Sequence, residues 1–410
     1  MKICHIIDYI PPYHERVGGG GHGIVKFGLE KNLDFFAITT LFDKSTKSKN
    51  IFCIPTLENY LGKMAALLKS IIPYDPVSYY HIKQILKKEK PQVVNLHNFE
   101  IFSFSAISAA KRLAIPIIYS IYDYWAICPT TMLYDSKGQI CEYLRSHKCF
   151  NCVKSKKAGL FRAMLLPFTN HIFNKNLKKI DRFIVLSESS KHILSRYGIS
   201  KSKIDVIPLP FRDRKPSKVK VEKNSILYVG WIEPHKGLHI LIETMKIVRK
   251  SIPNAILYVV GCHDANPSYF RKIKDMIVKN KLNKNIKIMG RLGSDAFTER
   301  VNKSAVIAIA EQWQNMSPLF MAECMALEKP VVISDIGGIS ETIKDGKNGF
   351  LVKYNDPNDY AKRIIELLND EKKANNISKK ARKTFLEKFN NDKTFSKLEQ
   401  SYKLAIENAK

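Results

Sequence analysis

The sequence lacks several features that would mark a specialised class of protein. It has no run of about 20 apolar residues, because the longest apolar segment, residues 101–122, is interrupted by Lys111, Arg112 and Pro116. The first twelve residues, MKICHIIDYIPP, have neither the apolar core nor the small-residue cleavage site of a signal peptide. These absences predict a cytoplasmic protein, and they leave attachment to the inner face of the cell membrane open.

Acidic residues are also scarce. The chain has 38 Asp and Glu against 67 Lys and Arg, which gives a formal net charge of +29. Such an excess suits nucleic acid, an anionic membrane surface or phosphorylated substrates. No zinc-finger, homeodomain or RNA-recognition signature is present, which argues against nucleic acid as a partner. A genome-wide preference for Lys, Asn and Ile is the non-functional explanation.

Short apolar segments alternate with amphipathic ones along the chain. The first half predicts strands at 2–7, 35–40, 93–96, 115–121, 183–186 and 204–207, and helices near 22–33, 76–89, 102–113 and 188–197. The second half predicts strands at 225–229, 255–260, 286–290, 305–310, 330–334 and 349–352, with helices between them. The alternation indicates an α/β fold of two doubly wound Rossmann-like domains.

The predicted domains have distinct compositions at their borders. Residues 1–208 form the N-terminal domain, with a Cys-rich insert at 128–152, and 225–385 form the C-terminal domain. The polar, basic segment 209–224 has linker composition. Residues 386–410 are predicted as a terminal helix that packs back on the N-terminal domain. Two such domains would face a cleft, which suits a reaction of two substrates that excludes water.

The segment EQWQNMSPLFMAECMALEKP, residues 311–330, contains the most informative helix start. Ser317 is predicted as the N-cap and Pro318 as the first helical residue. Free N–H groups at a helix start favour an anion, and Glu323 further along the helix can accept hydrogen bonds from a vicinal diol. The alternative is that Glu323 only pairs with a lysine.

Two further segments have the composition of phosphate-binding loops. Lys236 and Gly237 precede a helix, where a lysine can contact a phosphate. The segment GGGGHG, residues 18–23, allows the backbone to approach a ligand closely. A solvated surface lysine and a flexible loop are the respective alternatives.

In this order, the three segments resemble the retaining glycosyltransferases of family 4, which have the two-Rossmann GT-B fold. The resemblance covers nearly the whole chain and implies transfer of a sugar from a UDP- or GDP-linked donor, with no metal required for catalysis. It implies that Glu323 binds the ribose and that Lys236 contacts the diphosphate. It also places the donor beside a set of residues that the family motif supplies: Gly20, Gly21, Asn315, Ser317, Pro318 and Leu319.

The sequence departs from the family pattern at three positions. Asn315 stands where a glutamate is usual, and Trp231 stands where an arginine is frequent, for which Arg291 is a candidate substitute. Tyr122, in SIYDYWAICP, replaces a histidine near the reacting centre and cannot act as a base at neutral pH. With Asp123 and His97 it forms the predicted catalytic group, although His97 could equally be a core histidine.

Four cysteines cluster in the insert after the DYW segment: Cys128, Cys141, Cys149 and Cys152. The Cys-x2-Cys end is typical of half a tetrahedral zinc site, and a subgroup of the resembling family has a similar insert. Structural zinc, labile disulfides and unligated thiols all remain open. The basic segment 154–182 that follows either lies on an anionic membrane surface or packs as a surface helix.

Two functions follow from these features. The first is a retaining glycosyltransferase that acts on a saccharide or lipid-linked acceptor in cell-surface polysaccharide or glycolipid assembly. The second is a nucleotide-sugar-binding protein of the same fold with reduced or lost transfer, which the changes at Asn315, Tyr122 and Trp231 favour. No segment indicates an epimerase or a pyridoxal-phosphate-dependent phosphorylase.

Overall fold

A computed structural model describes residues 1–10, 21–30, 34–41, 50–154, 159–217, 219–264 and 266–409. The chain divides into two compact units. The N-terminal unit comprises Met1–Ser136, Cys141–Pro210 and Asn391–Lys410, and the C-terminal unit comprises Lys137–Ile140 and Phe211–Asn390. In the part of the chain described, no helix is long and apolar enough to cross a membrane.

Strands and helices alternate through both units. The strands are β1 (Ile3–Ile6), β2 (Phe35–Thr40), β3 (Ile51–Ile54), β4 (Val93–Leu96), β5 (Ile117–Ser120), β6 (Arg182–Val185), β7 (Ile204–Val206), β8 (Glu222–Val229), β9 (Ile256–Val260), β10 (Ile286–Gly290), β11 (Ser304–Ile309), β12 (Val331–Ser334) and β13 (Phe350–Val352). The helices are α1 (Gly21–Glu30), α2 (Leu57–Leu61), α3 (Lys63–Ile71), α4 (Pro76–Glu89), α5 (Ser105–Arg112), α6 (Phe150–Lys154), α7 (Gly159–Met164), α8 (Leu166–Leu177), α9 (Glu188–Arg196), α10 (Leu238–Ser251), α11 (Pro267–Lys279), α12 (Ser294–Lys303), α13 (Leu319–Ala326), α14 (Pro357–Asn369), α15 (Glu371–Lys388) and α16 (Asn391–Asn408).

The N-terminal unit is built on a parallel sheet of seven strands in the order β3-β2-β1-β4-β5-β6-β7. Chain order reverses between β1 and β4, which pair in register from Ile3 with Val93 to Ile6 with Leu96. A crevice opens at such a reversal, beyond the carboxyl ends of the strands. Residues 97–98 and 122–123 follow β4 and β5 and therefore lie at this edge. The terminal helix α16 belongs to the same unit, where Asn95 Nδ2 donates to Tyr402 Oη at 2.9 Å.

The C-terminal unit contains a six-stranded sheet in the order β10-β9-β8-β11-β12-β13. Ile226 and Tyr228 of β8 contribute to one hydrophobic cluster, and Leu227 between them contributes to another. Alternate residues of a strand point to opposite faces, so both faces of the sheet are covered by helices. The prediction of two doubly wound α/β domains is confirmed.

Some elements were not predicted from the sequence. Strand β3 and helices α2, α3, α6 and α14 are absent from the prediction. The single helix expected from about residue 373 to 408 is two helices, α15 and α16. Between β12 and β13, where a short helix is predicted from about residue 339, the chain forms only a single 3-10 turn, Ile339–Glu341. These are short or strongly charged segments, for which tertiary contacts outweigh local periodicity.

Candidate active site

In the C-terminal unit, the turn that carries Lys236 is packed against the end of β11. Gly237 ends this turn at φ 70° and precedes α10. A Cβ atom at Gly237 would lie 1.9 Å from the carbonyl oxygen of Ala310, so only glycine fits. The Gln312 N–H also donates to the carbonyl of His235 at 2.8 Å. The turn therefore joins β11 at the reversal between β8 and β11, the edge at which ligands bind in this architecture.

Lys236 has an acidic partner that the sequence analysis missed. Its Nζ lies 2.8 Å from Glu311 Oε1, and the indole N–H of Trp313 donates to the other carboxylate oxygen. Glu311 is 5% exposed, and the Lys236 ammonium lies 5.5 Å from the centroid of the Trp313 ring. Glu311 follows the apolar strand AVIAIA directly, and this position of a charged residue is the signal that could have found it.

Glu323 lies on α13 and is half-buried. Among the described residues its carboxylate has no hydrogen bond and no ion pair. Burial raises its pKa, while the charge of Arg214 opposes that rise. A half-buried carboxylate without a protein donor retains its full capacity to accept hydrogen bonds from a ligand. Arg214, whose guanidinium donates to Thr298 Oγ1 at 2.8 Å, was not singled out from the sequence because it lies in the segment interpreted as a linker.

The start of α13 differs from the prediction by one residue. Pro318, with φ −60° and ψ 121°, is the N-cap, and Leu319 is the first helical residue. The prediction of Ser317 as N-cap is wrong, because the backbone turns into the helix only after the proline. Pro318 has no N–H and no side chain that could cap. No side chain caps this end, so its backbone N–H groups are not used by a capping residue.

Asn315 is buried beneath this helix start. Its Oδ1 accepts the Ser317 N–H at 3.1 Å, and its carbonyl accepts the Gly338 N–H at 2.9 Å. A Cβ atom at Gly337 would lie 2.2 Å from the same carbonyl. Asn315 therefore holds the loop in shape through its oxygen atoms, and its side-chain Nδ2 has no partner in the described part of the chain. By contrast, Arg291 follows β10 and is exposed.

In the N-terminal unit, the structure brings His97 and Tyr122 together. His97 Nδ1 lies 2.9 Å from the Tyr122 hydroxyl, and His97 Nε2 lies 2.8 Å from Nδ1 of His5. Burial lowers the pKa of His97 well below its usual value, with a further lowering by His5, and burial lowers the pKa of His5 to about 3. Both ring nitrogens of His97 are thus engaged in a neutral chain of three side chains that ends at Tyr122.

Asp123 lies outside this chain. Its Oδ1 accepts the Trp125 N–H at 2.8 Å, and its Oδ2 accepts from Asn98 Nδ2 at 3.1 Å. Burial raises the pKa of Asp123 and of Tyr122. His5 was missed from the sequence. Its signal was a histidine within the apolar strand KICHII, since a buried polar group needs a partner.

The glycine-rich loop is the least described part of the predicted site. Gly20 lies outside the described residues. Gly21 is the first residue of α1. The predicted contact of Gly20 and Gly21 with a donor therefore stays a prediction.

The four cysteines of the insert lie within electrostatic range of one another. Cys141 has its pKa raised to about 11, first by burial and further by Cys128, Cys149 and Cys152. None of the four forms a disulfide within the described residues. Four thiols are a donor set that suits zinc. However, within the described ranges no three His, Cys, Asp or Glu side chains are placed to hold one metal ion. A structural zinc therefore stays a prediction.

The chain matches known protein families over most of its length. Residues 59–212 match "Glycosyltransferase Family 4", and residues 211–384 match "Glycosyl transferases group 1". The capsular polysaccharide biosynthesis glycosyltransferase CapM of Staphylococcus aureus is 24% identical over 93% of this chain and 92% of its own length. An uncharacterised glycosyltransferase of Methanocaldococcus jannaschii is 30% identical over 167 residues. This match covers 41% of this chain and only 44% of the length of that relative.

A solved structure shows the same fold. HepE of Anabaena, in complex with UDP, superposes with a TM-score of 0.69 at 16% identity, over 98% of this chain and 99% of HepE. Together the two family matches span residues 59–384, which include every described candidate residue of the C-terminal unit. The chain therefore belongs to the glycosyltransferases, in the group that joins a Family 4 domain to a group 1 domain in the GT-B fold.

Proposed function

We propose that this chain transfers a sugar from a UDP- or GDP-linked donor to a saccharide or lipid-linked acceptor, with retention at the anomeric carbon. The observation that carries this proposal is Glu323, a half-buried carboxylate without a donor of its own among the described residues. A ribose has two adjacent hydroxyls, and each can donate a hydrogen bond to such a carboxylate. The UDP in the HepE complex and the role of CapM in capsule biosynthesis support a nucleotide donor and a polysaccharide product.

The proposed reaction requires no proton transfer by a protein side chain. The bond between the anomeric carbon and the diphosphate oxygen breaks while the acceptor oxygen bonds to the same face of the sugar. The acceptor hydroxyl gives its proton to the departing diphosphate oxygen. Lys236 and the N–H groups at the start of α13 would stabilise the negative charge that develops on the diphosphate. Tyr122 would donate or accept one hydrogen bond as a neutral hydroxyl.

A nucleotide-sugar-binding protein with weak transfer is the second candidate. It is favoured by the ion pair between Lys236 and Glu311, because a paired lysine offers less net charge to a diphosphate. Asn315 supports it as well, because its oxygen is already used within the loop. Under this proposal the nucleotide still binds at Glu323, while turnover is slow.

Calorimetry with UDP, GDP and their sugars tests the proposal first. We expect one nucleotide to bind, and the Glu323→Gln variant to bind about ten to a hundredfold more weakly, since a charged acceptor is lost. Glu387→Gln, an exposed carboxylate on α15, is the matched control and should bind normally. If neither nucleotide binds the unaltered chain, the proposal fails. Transfer to an acceptor extract, followed by NMR of the new anomeric proton, separates retention from inversion and separates the enzyme from the binding protein.

A further inference from the structure

Helix α3 of the N-terminal unit presents its apolar side chains to solvent. Met64 is 63% exposed, and Leu67 and Leu68 are 43% and 46% exposed. The residues it buries are Ala65 and Lys69. The Lys69 ammonium lies 2.7 Å from Glu58 and donates to the carbonyl of Ile101 at 2.9 Å. The usual amphipathic orientation is thus reversed, because the charge points inward and the large apolar side chains point outward.

A second segment shows the same feature. On α7 and the first turn of α8, Leu160 and Phe161 are each 54% exposed, Met164 is 65% exposed and Phe168 is 49% exposed. Phe161, Met164 and Phe168 recur at helical spacing, so they form one stripe. The sequence is compatible with a basic segment that packs its apolar side on the domain or lies on a membrane surface, and these four side chains do not pack on the domain.

The two segments lie on the same side of the unit. A cavity of about 250 Å³ is lined by Ala66 and Lys69 of α3 and by Arg162 and Leu166 of α7 and α8. The exposed side chains of both helices therefore flank one opening. Seven exposed large apolar side chains on two neighbouring segments exceed the scattered single ones that are usual on a soluble protein, and they indicate a surface that binds a partner.

The α7 and α8 side of this face is positively charged, whereas Glu58 and Glu100 line the opening itself. From Tyr143 to Ile180 the sequence has no Asp or Glu and nine Lys or Arg. Among the described ones, Lys148, Lys154, Lys175 and Lys178 are exposed. Apolar side chains bordered by lysine and arginine match an anionic bilayer, whose acyl boundary takes up the former and whose headgroups attract the latter.

We propose that the face formed by α3, α7 and the start of α8 docks this protein on an anionic lipid bilayer. The inference deepens the proposed function, on which it rests for its biological meaning, because a lipid-linked acceptor would be met at that surface. Docking here would bring the N-terminal unit to the membrane without a spanning helix. The face lies in a different unit from Glu323 and Lys236, so it can be altered without changing donor binding.

Co-sedimentation of the full chain with lipid vesicles tests the face. One vesicle contains phosphatidylglycerol and phosphatidylcholine in equal amounts, and the other contains phosphatidylcholine alone. We expect binding to the anionic vesicle, weakened severalfold at about 1 M NaCl because salt screens exposed charges. The double variants Met64→Ser with Leu68→Ser, and Phe161→Ser with Met164→Ser, should each lower the partition coefficient about tenfold or more.

The matched control replaces exposed apolar residues of the other unit. Val278→Ser with Leu386→Ser removes side chains that are 63% and 49% exposed, and we expect its partition coefficient to stay within about twofold of the unaltered chain. All variants should bind UDP as the unaltered chain does. Unchanged partition of the two face variants would overturn the proposal, as would a dimer that these variants dissociate in the absence of any vesicle binding. Binding of UDP or GDP without vesicle binding refutes only the docking face, and vesicle binding without binding of either nucleotide refutes only the donor site.

Discussion

The Nζ atom of Lys236 and the Oε1 atom of Glu311 lie 2.8 Å apart at the reversal point of the C-terminal sheet. Glu311 is also held by Trp313 and is almost fully buried. The lysine that the family resemblance assigns to the diphosphate is therefore not a free cation. Its position is fixed by the carboxylate, and its charge is offset by the carboxylate. A diphosphate bound here must share the Lys236 ammonium with the Glu311 carboxylate.

Removing either member of this pair should have distinct effects. Lys236→Met should weaken UDP binding about ten to a hundredfold, since a charge-assisted contact is lost. It should also destabilise the fold, because Glu311 is left as a buried, unpaired charge, which typically costs about 3 kcal/mol. Calorimetry and urea denaturation measure the two effects.

The Glu311→Gln variant distinguishes the effect of the Lys236 charge on binding from the effect of the Lys236 position on turnover. It frees the lysine charge, so UDP should bind as tightly or more tightly at low salt, while turnover falls because the ammonium loses its fixed place. Lys246→Met is the control, since Lys246 forms a surface pair with Glu243 at 2.6 Å on α10. Such a pair contributes about 0.5 kcal/mol. If Glu311→Gln abolishes UDP binding while the variant stays folded, the carboxylate itself contacts the ligand and the positioning role is wrong.

Donor binding should weaken as the pH falls. The decline should begin at a higher pH than it would for a carboxylate with an ordinary pKa. Glu323 accepts hydrogen bonds from a diol best when it is ionised, and burial raises its pKa. The ionised form is therefore present above the raised pKa and is lost as the pH falls through it. UDP affinity measured by calorimetry from neutral pH downward checks this. In Glu323→Gln the same decline should be absent, and an identical pH profile in both proteins would show that another group titrates.

The sequence was most informative where local pattern and tertiary packing agree. Strands β2, β4 and β10 have the predicted bounds, because each is a short apolar run that the sheet buries or pairs. Helix α3 was missed for the opposite reason. Its Met64, Leu67 and Leu68 do not face a core, so its apolar pattern does not report on its packing.

The candidate site was predictable only in part for a related reason. Glu323 and Lys236 lie in motifs that can be recognised in the sequence. The roles of Glu311 and His5 depend instead on contacts with residues far away in sequence. His5 meets His97 92 residues later, and Glu311 meets Lys236 75 residues earlier. Sequence spacing does not give such pairings. They follow from strand order, which places the ends of β1 and β4, or of β8 and β11, side by side.

The cysteine cluster gives a prediction about metal content. We expect about one zinc per chain after gentle purification, because four cysteine thiols are a donor set that suits zinc and would bind it as thiolates with release of their protons. Elemental analysis measures the zinc. Cys149→Ser with Cys152→Ser should lose it, whereas Cys53→Ser, outside the cluster, should keep it. A metal-free protein whose cluster thiols all react with a thiol reagent would leave the unligated interpretation standing.

The buried imidazoles of His5 and His97 should make the protein less stable in mild acid. In the unfolded chain each imidazole titrates near its ordinary pKa of about 6.5, whereas in the folded protein the pKa of His5 is about 3 and that of His97 is also well below its usual value. Between those values the unfolded chain binds more protons, so the free energy of unfolding rises with pH. The stability is thus fully present above about pH 6.5 and declines below it by up to about 1.4 kcal/mol per pH unit for each imidazole.

Urea denaturation at several pH values measures the slope, and His5→Asn should reduce it by about half. The exposed His171 on α8 provides the control, because His171→Asn should leave the slope unchanged. A slope that is the same in His5→Asn would mean that this buried pair does not govern the acid response.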